Sequence, residues 1–328
     1  MERDDVALVV PTSGSSGTPK GALLTASALR HSAQATLDRL GGAGQWLLAM
    51  PVTHVAGLQV LVRSLVGGVA PVVLDLSAGF TAEAFVAATA RLDAGGRRYS
   101  ALVPTQLRRL LDAGVDLSAY DAILVGGAAL SFTVPPNVVR TYGMSETCGG
   151  CVYDGWPLAG VDVVIGARGR ICIGGPVVFA GYRLRPDLTA AALVDGRHVT
   201  ADLGAWTADG RLEVRGRVDD VIVSGGVNVP AAMVEAVLSR HPLVGAVAVV
   251  GVPDDEWGEQ VVAVVAGVEA LAATPPPGPA EVRAFCAARL EPAAVPRLVI
   301  SVDRLPMLAS GKPDRTAVRS LVAAHLAR

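Results

Sequence analysis

Val6-Ala7-Leu8-Val9-Val10 runs directly into Pro11-Thr12-Ser13-Gly14-Ser15-Ser16-Gly17-Thr18-Pro19-Lys20-Gly21. The first five residues read as a buried strand. The loop that follows packs glycines and small hydroxylated residues together and ends in a lysine. Backbone N–H groups unshielded by bulky side chains can converge on phosphate oxygens. Hydroxyls add donors, and Lys20 adds a point charge. The spacing G-x-x-x-x-G-K-[ST] is absent and Pro19 precedes the lysine, so this is not a Walker A loop. A flexible Ser/Gly linker would have a similar composition, but Pro19-Lys20 and the flanking apolar segments are unlike one.

Outward from this loop, strand-like and helix-like segments alternate. Gln45 to Met50, Val69 to Leu76 and Ala122 to Val125 read as buried strands, and Ala101 to Pro104 as a strand end. Thr81 to Leu92 has a helical pattern, and Thr105 is placed to cap a helix running to Asp112. The alternation predicts an α/β domain with a largely parallel sheet. Ligands in such sheets bind beyond the carboxyl ends of strands, where Gly14, Pro104 and Gly126 are expected. From about Gly155 short strands with glycine turns predict a β-rich subdomain: Val161 to Ile165, Gly169 to Ile173 and Leu212 to Val214. A further region opens near Val218. It predicts a hairpin (Val221 to Val229), a helix (Ala231 to Ser239), two strands (Ala246 to Val252 and Val261 to Gly267) and a helix (Ala280 to Leu290). Thr274 to Pro279 reads as a stiff connecting loop.

The 328 residues suffice for two domains. A net charge of −2 argues against a nucleic-acid binder held by a basic face. The longest apolar runs fall short of a membrane span, and the acidic start Met1-Glu2-Arg3-Asp4-Asp5 lacks a signal-peptide pattern. A soluble cytoplasmic protein is the expectation. Cys148-Gly149-Gly150-Cys151 has redox or zinc spacing, but the other two cysteines, Cys172 and Cys286, supply no second pair. Ordinary small side chains are the expectation there.

Further motifs follow in order. Met50 to Gly57 puts His54 on a loop after a strand. Arg140 to Thr147 holds an aromatic, Tyr142, a hydroxyl, Ser145, and a carboxylate, Glu146, within five residues. The aromatic can stack on a purine, the hydroxyl can bond a phosphate, and the carboxylate can hold Mg²⁺. Thr200-Ala201-Asp202-Leu203-Gly204 offers a carboxylate suited to a ribose diol. Gly216-Arg217-Val218-Asp219-Asp220 sits at the expected boundary, and Leu308 to Arg315 carries a second glycine-lysine pair, Gly311-Lys312.

In this order the motifs resemble the adenylate-forming superfamily of acyl-CoA ligases, adenylation domains and luciferases. Val103-Pro104-Thr105, Gly126-Gly127-Ala128 and Gly251-Val252-Pro253-Asp254 extend the resemblance over nearly the whole chain. Within the superfamily the chain is most similar to short actinobacterial o-succinylbenzoate–CoA ligases. Val62-Arg63-Ser64-Leu65, Ser77 to Phe80, Arg97 to Ser100 and Arg140 to Gly155 carry that similarity. The resemblance implies a large N-terminal α/β domain with a β-rich subdomain, residues 1–218, and a small mobile C-terminal α+β domain, residues 219–328. It implies that Thr12, Ser13, Gly14, Ser15, Ser16, Gly17, Thr18 and Lys20 bind the β- and γ-phosphates of ATP. Tyr142 with Gly143 lies against the adenine, Ser145 contacts phosphate, and Glu146 coordinates Mg²⁺. Asp202 and Arg217 hold the ribose, and Asp219 is the hinge. Lys312 bridges the acyl carboxylate and the α-phosphate. His54, Gly126 and Gly127 line the acyl pocket. Ser224, Gly225, Gly226 and Asn228 form the CoA tunnel.

The implied activity is ATP-dependent formation of an acyl-adenylate and then an acyl-CoA thioester in menaquinone biosynthesis. ATP, CoA and a carboxylic acid are the expected partners, with no nucleic acid and no membrane insertion; a homo-oligomer is left open. Another aryl- or acyl-CoA ligase, an adenylation enzyme loading a carrier protein, and a weakened nucleotide-binding homologue are the alternatives. Two departures bear on the acyl pocket. The phosphate loop begins after only eleven residues, where the family has a longer segment. The family's helix between Gly127 and Tyr142 is curtailed, because Ser131 to Asn137 is short and carries Pro135-Pro136.

Overall fold

Short apolar strands separated by helices can bury both faces of a parallel sheet. The structure is a computed structural model that describes residues 5–12, 20–128, 130, 132–268, 277–308 and 313–327. In it the strands Val72–Val73, Gln45–Leu48, Arg98–Leu102, Ala122–Gly126 and Val138–Met144 lie side by side in that order, each pairing parallel. Gly149–Tyr153 and Trp156–Pro157 extend the sheet with antiparallel pairings. Trp46, Leu48, Tyr99, Leu124 and Tyr153 form the core of one face. The helices Ala26–Leu40 and Val55–Gly67 contribute Leu37 and Val60 to it.

The apolar run that opens the chain is a strand, Val6–Thr12, but not a buried one. Val9 is 47% exposed, and among its residues Val10 alone is buried. The strand lies outside the parallel sheet: it pairs antiparallel with Lys20–Thr25, which pairs antiparallel with Gly181–Tyr182. At the edge of three strands it presents one face to solvent, which a run of apolar letters does not reveal. The strand that precedes the phosphate loop is therefore not part of the parallel sheet, whereas Pro104 follows the strand Arg98–Leu102 and Gly126 ends Ala122–Gly126; Gly14 lies outside the described residues. The stretch Val69 to Leu76 shortens to Val72–Val73. Pro71 supplies no N–H to a ladder, and Asp75 accepts the Ser77 N–H at 2.9 Å, turning the chain. Thr105 is not a cap. Pro104 takes the first helical position, and Val103 is the N-cap, its N–H donating to Gln106 Oε1 at 3.0 Å.

The β-rich part contains Asp162–Ile165, Arg170–Gly174, Leu193–Val194 and Leu212–Arg217 around a strand that sequence reading missed, Arg197–Trp206. Its inward positions include His198 and Thr200, polar residues that satisfy themselves on the carbonyls of Ala192 (3.2 Å) and Ile171 (2.8 Å).

Two compact units divide the chain. The first comprises Met1–Leu130, Val134–Thr200 and Ala205–Glu213; the second comprises Ser131–Thr133, Ala201–Gly204 and Val214–Arg328. In the second, Val227–Pro230, Val221–Ser224, Gly258–Gly267 and Val244–Asp254 form an antiparallel sheet, with Leu298–Val302 parallel to Gly258–Gly267. Helices cover both faces. Val234 and Val282 come from Ala231–Leu238 and Pro279–Ala287 on one side. Val318 and Val322 come from Arg315–Leu326 on the other. Both faces being dry explains the unbroken valine runs. No helix among the described residues is long and apolar enough to cross a membrane.

Candidate functional site

The parallel sheet brings two of the predicted motifs to one edge. Gly126 ends its strand beside Thr141, its partner in the next. A Cβ on Gly126 would sit 2.3 Å from Thr141 Oγ1, so only glycine allows this approach. Gly127 turns away at φ +87°. The neighbouring strand carries Tyr142 and Gly143, half-buried, to the same end. There the chain reverses through a 3₁₀ turn, Ser145–Thr147, into Gly149–Tyr153. A Cβ on Gly143 would lie 2.0 Å from the Gly149 carbonyl oxygen, so the reversal requires glycine. Thr147 locks the turn: its Oγ1 accepts the Met144 N–H at 3.0 Å and donates to the Gly149 carbonyl at 2.8 Å. His54 is exposed and caps the Val55–Gly67 helix backbone without a side-chain bond.

Glu146 points inward from this turn and is 9% exposed. Tyr182 Oη donates to its Oε1 at 2.7 Å. Oε2 has no hydrogen bond to a described residue. Mg²⁺ shared with nucleotide phosphates is held by only one or two carboxylates, the rest of its shell being phosphate oxygen and water. Among the described residues there is no group of three or more His, Cys, Asp or Glu able to hold a metal alone. One oriented carboxylate with a spare oxygen fits a cation that arrives with its nucleotide.

The strands Val6–Thr12 and Lys20–Thr25 hold the ends of the phosphate loop together, Thr12 opposite Lys20. Ser13 to Pro19 lie outside the described residues. Lys20 Nζ stands 5.3 Å from the Tyr182 ring centroid. In the second unit, Asp202 Oδ1 accepts from Arg217 Nη1 at 3.1 Å, and Arg217 Nη2 reaches Asp219 Oδ2 at 3.0 Å. These three residues, expected to hold a ribose and form a hinge, are thus one ion-pair cluster. Ser224 is buried, its Oγ without a partner among the described residues. Gly225 and Gly226 form an exposed left-handed turn at φ +60° and +79°. Asn228 is exposed in the following strand. Lys312 lies outside the described residues.

Arg63 went unsingled as a site residue. It is 3% exposed, has no carboxylate partner among the described residues, and lies 5.1 Å over the Trp46 ring, with Nη2 3.4 Å from Tyr153 Oη. Burial pulls its guanidinium below the ordinary arginine range. An arginine inside the otherwise uncharged Val55–Gly67 helix was the available signal. The Cys148/Cys151 pair is inert: both are free and fully buried, and burial pushes each thiol up to about 12.

With this fold and site, the chain belongs to the AMP-binding enzyme family: residues 1–183 match that family's profile, and residues 233–312 match the AMP-binding enzyme C-terminal domain. It is 47% identical to a "Probable 2-succinylbenzoate--CoA ligase" of Mycobacterium tuberculosis, over 96% of this chain and 84% of the relative. Its fold matches the o-succinylbenzoate CoA synthetase (MenE) of Bacillus subtilis, solved with the acyl-adenylate intermediate OSB-AMP. The TM-score is 0.85 and the identity 28%, over 97% of this chain and 70% of that one. The same Bacillus protein, solved with ATP and magnesium ion, matches at a TM-score of 0.83 and 28% identity, over 97% and 71% of the two chains.

Proposed function

We propose that this protein is an ATP-dependent 2-succinylbenzoate–CoA ligase of menaquinone biosynthesis, acting in the cytoplasm where ATP and CoA are supplied. The observation that carries the ligase reading is the convergence of Gly126-Gly127, Tyr142 and Glu146 at one sheet edge, with Glu146 bonded to the strand layer that holds the phosphate loop. The named acid comes from the relatives.

In the first half-reaction a carboxylate oxygen of the acid attacks the α-phosphorus of ATP and pyrophosphate leaves. Two anions must approach, so charge neutralisation dominates the barrier. The loop from Thr12 to Gly21 holds the leaving pyrophosphate, Tyr142 stacks on adenine, Ser145 bonds phosphate, and Asp202 and Arg217 hold the ribose. Lys312 spreads its charge between the carboxylate and the α-phosphate. Glu146 would hold Mg²⁺, which would supply charge neutralisation to the triphosphate. In the second half-reaction the CoA thiol loses its proton, its sulfur attacks the acyl carbonyl carbon, and AMP leaves. A boundary at residues 218/219 with Asp219 as hinge lets Lys312 withdraw and Ser224-Gly225-Gly226 approach. Glycine at 225 and 226 lets a thin pantetheine arm pass close to backbone.

Steady-state comparison of acids under saturating ATP, Mg²⁺ and CoA tests the substrate. The expected order of kcat/KM is 2-succinylbenzoate far above benzoate, long-chain fatty acids and amino acids. Equal or better turnover of benzoate would remove the substrate claim and leave the ligase claim standing.

A further inference from the structure

One phenol joins segments that lie far apart in the sequence. Tyr182 pairs with Ala22 in the strand that follows the phosphate loop, and Lys20 from that strand stands over its ring. Its hydroxyl donates to Glu146. The backbone around it ties the same two places together. Phe179 N–H donates to the Glu146 carbonyl at 2.9 Å, Ala180 N–H to Leu23 O at 2.8 Å, and Arg183 N–H to Gly21 O at 2.8 Å. The phenol is itself held in place. Phe179 packs edge-on against its ring at 4.9 Å, and its own N–H donates to Thr189 Oγ1 at 2.9 Å.

We propose that Tyr182 is a positioning residue: its hydroxyl fixes the Glu146 carboxylate for the nucleotide-borne cation and couples that carboxylate to the strand leaving the phosphate loop. This rests on the reading of Glu146 as the Mg²⁺ carboxylate. A carboxylate that accepts a hydrogen bond on Oε1 has fewer rotamers available and presents Oε2 over a narrower range of directions. Without that bond, the metal has to supply the ordering. A carboxylate has no proton to give at neutral pH, so in this pair the phenol O–H is the donor. Its ring already packs in an apolar cluster with Ala22, Leu24 and Phe179. Phenylalanine would keep that packing and delete the bond alone.

The test is equilibrium binding of a non-hydrolysable ATP analogue by calorimetry, without acid or CoA, in Mg²⁺ and again in EDTA. In Tyr182→Phe the affinity in Mg²⁺ is expected to fall about tenfold, the scale of a lost hydrogen bond to a charged group. The affinity in EDTA should stay close to wild type, and the variant should remain folded with a somewhat lower thermal midpoint. Glu146→Gln should show the same selective loss, and adding Tyr182→Phe to it should cost little more. Equal loss in both titrations, no loss, a fully additive double variant, or an unfolded Tyr182→Phe would each overturn the role. If Glu146→Gln keeps its Mg²⁺-dependent affinity, the reading of Glu146 fails as well. If Glu146→Gln loses that affinity and Tyr182→Phe does not, the role of Tyr182 alone fails.

Discussion

Glu146 and the cysteines beside it show how burial sorts side chains that look alike in a sequence. Glu146 is buried but hydrogen-bonded through Oε1, and its Oε2 has no hydrogen bond to a described residue. Glu146→Gln is therefore expected to raise the Mg²⁺ concentration needed for half-maximal adenylation by roughly tenfold or more. A Mg²⁺ titration of acid-dependent pyrophosphate exchange measures this, and an unchanged curve would make Glu146 a structural residue of the Ser145–Thr147 turn. Cys148 and Cys151 are sealed, their thiols pushed up to about 12, and burial pushes Cys286 up to about 11. Cys172 is the partly exposed one. Iodoacetamide at pH 8, read by peptide mass spectrometry, should label Cys172 first and leave the other three largely unmodified until the protein unfolds. That Tyr142, Ser145 and Glu146 lie together was legible in the sequence because they fall within five residues. Arg63 and Tyr182 were not, because what distinguishes them is burial without a carboxylate partner among the described residues and a partner 36 residues away.

At the scale of elements, the strand runs with two dry faces were read correctly, whereas the opening run, at the edge of its sheet, was read as buried and is not. Val244–Asp254 and Gly258–Gly267 are covered on both sides, and apolar letters suffice to find them. Val6–Thr12 looks similar in sequence yet is largely exposed, because its place in the sheet depends on distant pairing. Arg197–Trp206 was hidden by inward polar residues that bond to backbone. The Arg315–Leu326 helix adds a case that pattern reading does not reach. Arg315 pairs through Nε with Asp220 at 3.1 Å and through Nη2 with Glu235 at 2.8 Å. Glu235 also accepts the Val249 N–H at 2.8 Å. Burial holds the Glu235 carboxyl above its usual range even with Arg315 opposing that shift. A raised carboxyl binds its proton more tightly in the folded state, so its penalty is present above the folded pKa and vanishes below the unfolded one. Arg315→Met deepens that penalty. It should cost about 2 kcal/mol at pH 7.5 and clearly less at pH 5, measured by denaturant unfolding at both values. An equal loss at the two pH values would mean that Glu235 does not depend on Arg315.

At the scale of the whole molecule, two half-reactions with different geometric needs run on one chain. Asp219→Pro tests the division of labour. Proline fixes φ near −65° and removes an N–H, so rotation at that point should be restricted. Adenylation, followed by pyrophosphate exchange, should persist, while transfer to CoA should fall by about tenfold or more. Normal CoA transfer would place the hinge elsewhere. The order of motifs made the family legible without any structure, whereas the division into units and the pairing of Asp202, Arg217 and Asp219 depend on three-dimensional contacts. The most direct measurement is product analysis by liquid chromatography and mass spectrometry. The purified protein is given 2-succinylbenzoate, ATP, Mg²⁺ and CoA, and then the same mixture without CoA. The expected products are 2-succinylbenzoyl-CoA, AMP and pyrophosphate in equal amounts with CoA present, and 2-succinylbenzoyl-AMP retained on the protein with CoA absent. Release of ADP, or an adenylate that forms but never yields the thioester, would contradict the ligase reading.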